Sequence, residues 1–228
     1  MLQWLKSFQR REQGLPEILR LFGQMLDDGR HAFDAAANCL LGGTDPEVIR
    51  EDLWGTDKRI NRTQQQIRRM VVTHGTVCQE DFATCLLIMS LVKDAERIGD
   101  YSKNIFDVAN LGISVPKSLL SDMVRLKDTT SLMLVKCKNI FETQDKDAAR
   151  DFCSEAGGLM NHCENQVTAF LIEEEGGGSL VASALAYRYF KRILGHAQNI
   201  LTSLLVPLDQ VDFFEDQNPP GEVAPNGS

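Results

Sequence analysis

Four oxygen-bearing side chains, Glu96, Asp100, Asn104 and Asp107, recur at spacings of three and four residues within one stretch. On a helix turning about 100° per residue they fall within a strip roughly 80° wide. Leu87, Leu91, Ala95, Ile98, Ile105 and Ala109 line the opposite side. A second polar strip, Asp57, Asn61, Gln64 and Arg68, precedes it with the same spacing. Carboxylate and amide oxygens converging from two antiparallel helices suit a hard or borderline divalent cation such as Mg²⁺, Mn²⁺ or Fe, and need no thiolate. The competing account is a solvated acidic face, with Arg68, Arg97 or Lys103 meeting the acids in ion pairs across the helices. Spacing alone leaves both open.

The elements that must position these strips follow from apolar periodicity. Ile18, Leu19, Phe22, Met25, Leu26, Ala32, Phe33, Ala36 and Leu40 carry a helical period from Pro16, suited to a first turn, to Gly42-Gly43. Thr44-Asp45-Pro46 caps a second helix that buries Val48, Leu53, Ile60, Ile67, Met70 and Val71. A turn at His74-Gly75-Thr76 leads into a third helix, Asp81 to about Asn110. Leu111-Gly-Ile-Ser-Val-Pro116 breaks the pattern and marks a boundary. A fourth helix is expected from about Lys117 to Thr143, a fifth from about Asp145 to Glu174, and, after Gly176-Gly-Gly-Ser179, a sixth to about Val206. Gly157-Gly158 weakens the fifth helix and suggests a kink. The layout is an N-terminal amphipathic segment (1–14), a first three-helix bundle (15–112), a second (115–206) and an extension with a disordered tail (207–228). In that extension Val211, Phe213 and Phe214 are expected to dock on the helices.

The 228 residues can bury a sizeable core, and 43% hydrophobic with 25% charged residues is ordinary for a globular chain. A net charge of -8 argues against nucleic acid, whose phosphates need a basic face, and suits cations or basic partner surfaces. Cys39, Cys78, Cys85, Cys137, Cys153 and Cys163 form no C-x-x-C pair and read as reduced thiols of a cytoplasmic protein. The longest apolar run, Cys85 to Val92, is too short to span a bilayer. His31 and His74 open no H-E-x-x-H and read as ordinary surface or core residues. His162, Glu164 and His196 fall on the helices of the second half and form a weaker candidate nitrogen and oxygen site.

The halves repeat in letters as well as layout. Arg97-Ile98 with Asn104-Ile105 recurs as Arg192-Ile193 with Asn199-Ile200, at the same spacing on the last helix of each half. The expected fold is all-α: two tandem three-helix bundles, six long antiparallel helices, related by internal duplication.

Glu96-Arg-Ile-Gly-Asp100 followed by Asn104-Ile105, on the third helix of such a chain, resembles the PhoU family of phosphate-signalling regulators over roughly Leu15 to Val206. The resemblance implies a cytoplasmic regulator rather than a catalyst, linking a phosphate transporter to a membrane histidine kinase and reaching the membrane through those partners. It also implies metal binding by acidic motifs. The second-helix motif matches Asp57-Lys-Arg-Ile-Asn61, and the third-helix motif matches Asp94, Glu96 and Asp100, with Gln64 and Asn104 as further oxygen donors. The ion expected is Fe, Mn, Mg or Zn. In the second half Ala156 and Met160 stand at the places of Asp57 and Asn61, and Lys191 and Gly195 at those of Glu96 and Asp100. A metal centre is therefore expected in the first bundle only. Homo-oligomer formation stays open. The alternatives are a metal-independent helical adaptor and a di-iron carboxylate enzyme, although Glu-x-x-His, the usual mark of the latter, is missing and Asp28-Gly-Arg-His31 is its nearest approximation.

Overall fold

The structure, a computed structural model, describes residues 2–172, 177–207 and 210, with side chains from residue 14 onward. Among the described residues the apolar stripes fold into six α-helices: α1 (Leu2–Gly42), α2 (Pro46–Val77), α3 (Phe82–Asn110), α4 (Lys117–Thr143), α5 (Lys146–Ile172) and α6 (Gly178–Thr202). A 3₁₀ turn, Gln79–Asp81, joins α2 to α3.

Local chemistry sets the ends. Gly43, at φ 73°, takes the left-handed conformation that closes α1. Asp45 caps α2 by accepting a hydrogen bond from the Glu47 backbone N–H at 2.9 Å, with Pro46 in the first turn. Asp145 does the same for α5, accepting from the N–H groups of Asp147 and Ala148 at 3.0 Å each.

Two expectations from sequence are corrected. Pro16 lies inside α1, not at its start, because the helix continues back to Leu2. Likewise α2 runs through His74-Gly75-Thr76 to Val77. Gly75 lies there inside the helix against α3, where a Cβ on it would make ordinary van der Waals contact with Phe82 and Cys85 at 3.5 Å. α5 is continuous through Gly157-Gly158. Docking of Val211, Phe213 and Phe214 concerns positions outside the described residues.

Helices α1 to α3 pack as one bundle and α4 to α6 as another, joined mainly through α3 with α6 and α1 with α4. The buried apolar residues form one cluster from Ile18 to Leu201, so the two halves share a core. Aromatic pairs cross the seam: Phe22 meets Phe141 with ring centroids 4.8 Å apart, and Phe33 meets Phe190 edge-on at 5.4 Å. Among the described residues no helix is long and apolar enough to cross a membrane.

Candidate functional site

Helices α2 and α3 bring the two polar strips face to face. Asp57 on α2 and Asp100 on α3 converge on one cation, the ammonium of Lys103, whose Nζ lies 2.7 Å from Asp57 Oδ1 and 3.3 Å from Asp100 Oδ1. Asn61 donates to Asp57 Oδ2 at 3.3 Å, and Arg97 Nη1 approaches the other oxygen of Asp100 at 3.2 Å. Burial by itself would lower the pKa of Lys103, but the hydrogen bonds and charges of Asp57 and Asp100 outweigh it and hold the group above its ordinary value. Gln64 is buried and donates to the Val92 carbonyl at 3.5 Å, tying α2 to α3.

The other acids turn elsewhere. Glu96, with a side chain only 13% exposed, pairs with Lys93 one turn back at 2.7 Å. Asp94 lies about 160° around α3 from Glu96 and faces the second bundle. There its Oδ1 meets His196 Nδ1 at 2.8 Å and accepts from Asn199 Nδ2 at 3.2 Å. Tyr101 stacks on the His196 ring with centroids 5.6 Å apart. Asn104 is half-buried on the same helix.

As a fit for a metal ion, then, the strips offer two converging carboxylates and a side-chain amide, with an internal ammonium seated between the carboxylates. Glu96 and Asp94 are committed to other partners. A metal ion between Asp57 and Asp100 would take the place of Lys103, so the cluster as folded fits an ion-paired seam, and no chemical step is derived through a metal there.

The second-half candidates are not brought together. His162 Nε2 meets Asp122 Oδ2 at 2.7 Å, and the same oxygen accepts from the buried Tyr187 hydroxyl at 2.7 Å. Glu164 pairs with Lys191 at 2.5 Å, which holds its carboxyl below the usual range. His196 belongs to Asp94 across the seam. A side chain on Gly195 would touch Met160 Sδ at 3.6 Å, so the Met160–Gly195 contact replaces an acid-lined strip with apolar packing.

Sequence reading missed two groupings. The Tyr187–Asp122–His162 cluster joins α4, α5 and α6, and nothing in local spacing announces it. The second is His74, Cys78 and Asp81, whose ligand atoms all lie within 4.8 Å of one another; among the described residues this is the one group of three or more His, Cys, Asp or Glu side chains so arranged. Its signal was present, since Cys78 follows His74 by four residues and Asp81 follows Cys78 by three.

Fold and site together define an all-α protein of two fused three-helix bundles with an ion-paired acidic seam in the first. Residues 22–109 match the family model described as the PhoU domain, all of them within α1 to α3. The whole fold is similar to that of PhoU from Pseudomonas aeruginosa, with a TM-score of 0.75 at 18% identity, covering 87% of this chain and 98% of that one. No curated protein matches the sequence significantly. The first bundle thus matches the PhoU-domain model, and the chain shares the fold of a PhoU structure over most of its length.

Proposed function

We propose that this chain is a cytoplasmic regulator of phosphate uptake or phosphate-responsive signalling, acting by binding a membrane transporter, a sensor kinase or both. The observation that carries the reading is the PhoU-domain match over residues 22–109, seated in a chain whose fold spans nearly all of a PhoU structure. The polar clusters support binding over catalysis, because their acids are engaged with lysine, histidine, tyrosine and asparagine partners that fix helix positions. Exposed apolar side chains at the equivalent turns of the two bundles, Phe82 and Leu86 beside α2–α3 and Leu171 and Ile172 beside α5–α6, offer contact area for a partner.

The metal part of this reading is narrower. A divalent cation would bind between Asp57 and Asp100, with Asn61 contributing an oxygen, only when Lys103 swings out, so ion binding and the seam exclude each other.

The test is cross-linking of the chain in its native host, followed by identification of captured membrane proteins in phosphate-replete and phosphate-starved cells. Enrichment of a phosphate importer or a membrane histidine kinase is expected. If neither is enriched and deletion leaves phosphate uptake and starvation signalling unchanged, the regulator reading fails.

A further inference from the structure

We propose that His74, Cys78 and Asp81 form a zinc-binding site at the α2–α3 turn, separate from the acidic strips. The three residues follow one another at spacings of four and three, which place them on one side of the chain as it winds out of α2. Backbone hydrogen bonds fix that winding: the Cys78 N–H donates to the His74 carbonyl at 2.8 Å, and the Asp81 N–H to the Cys78 carbonyl at 3.2 Å.

The donor set is an imidazole, a thiol and a carboxylate, the three ligand types zinc takes. Tetrahedral zinc, with bonds of about 2.0–2.3 Å, separates its ligand atoms by roughly 3.3–3.7 Å. Here all three ligand atoms lie within 4.8 Å of one another, and His74 Nε2 sits 2.7 Å from Asp81 Oδ2. For zinc to enter, the proton shared by His74 Nε2 and Asp81 leaves Nε2, the neutral ring keeping its one N–H on Nδ1; the pair spreads by less than about 1 Å, and the Cys78 thiol proton is released to solvent as Sγ becomes the third donor.

Three features distinguish this group from a packed thiol beside a His–Asp hydrogen bond. His74 and Cys78 line a pocket of about 360 Å³, with Gly14, Arg69, Met70 and Val77 among its other walls, which leaves room for a fourth ligand on the open side. The His74 ring is held from behind, because any side chain at Gly14 of α1 would collide with Nδ1. That packing aims Nε2 at the cluster. Finally, among the described residues no Lys or Arg is paired with Asp81, in contrast to Asp57 and Asp100, which share Lys103.

The chemistry is independent of the phosphate-regulator reading and is tested without it. The full-length chain is titrated with Zn²⁺ against a chromophoric chelator, and with Co²⁺ as a spectroscopic stand-in. One zinc per chain is expected, with a thiolate-to-cobalt charge-transfer band in the near ultraviolet. Cys78→Ser should abolish the band. Asp81→Asn, at a side chain 31% exposed and so safe for folding, should keep the band but weaken zinc binding by at least about tenfold. Asp57→Ala with Asp100→Ala should leave the band in place. Absence of stoichiometric zinc, a band that survives Cys78→Ser, or Asp81→Asn binding zinc as tightly as the parent would overturn the proposal.

Discussion

Replacing Lys103 with methionine keeps most of the side chain's length and apolar contact while removing its charge. Because Nζ lies 2.7 Å from Asp57 Oδ1 and 3.3 Å from Asp100 Oδ1, the two carboxylate oxygens are at most about 6 Å apart. Two unit charges at that distance repel by roughly 3 kcal/mol at an effective dielectric of about 20. Asp57 and Asp100 are only 20% and 28% exposed, so water screens them in part, and Arg97 still offsets Asp100. A destabilisation of about 2 kcal/mol is expected, a lowering of the thermal midpoint by about 4–8 °C for a chain of this size. Urea unfolding, followed by circular dichroism with chelator present, measures it. Added Mn²⁺ or Mg²⁺ should then restore much of the lost stability to the variant while leaving the parent unchanged, since only the variant has an uncompensated pair of acids. A loss below about 0.5 kcal/mol, with no response to divalent ions, would show that water satisfies these carboxylates and that the seam contributes nothing.

Three further substitutions probe the second bundle. Burial pushes the Asp122 carboxyl up, but hydrogen bonds from Tyr187, His162 and Arg125 outweigh it and leave the group below its usual range. An acid depressed in the folded state adds stability above its unfolded pKa, about 3.9, and loses it as pH falls through the folded value. Urea midpoints measured from pH 7 downward should therefore fall more steeply below about pH 4 in the parent than in Asp122→Asn, and Tyr187→Phe should cost about 1–2 kcal/mol at pH 7. Gly158 is exposed in the middle of α5 with nothing within 4 Å of a built Cβ, so Gly158→Ala should stabilise the chain by about 0.5–1 kcal/mol, read as a raised thermal midpoint.

Much of the fold was legible because periodicity reports burial directly. The apolar stripe Leu87, Leu91, Ala95, Ile98 and Ile105 implies a buried helix face, and Asp45-Pro46 implies a helix start, whatever the rest of the chain does. α4 was bounded at Lys117 and Thr143 by the same means. One helix-boundary correction falls at a helix–helix contact: Gly75 reads as a breaker, yet α2 continues through it beside Phe82 and Cys85 of α3.

By itself, then, the sequence determined six amphipathic helices in two repeated sets, and an acidic strip in the first set with no counterpart in the second. It could not say which partner each acid would choose. Asp94, Glu96 and Asp100 sit within one helical stretch, yet they face His196 across the seam, Lys93 on their own helix, and Lys103 with Asp57. Helical spacing fixes the direction in which a side chain leaves its own helix, whereas its partner depends on which other helix lies there and at what height. That is decided by the packing of α2 and α6 against α3. For His74, Cys78 and Asp81 the backbone turn after α2 supplied the convergence.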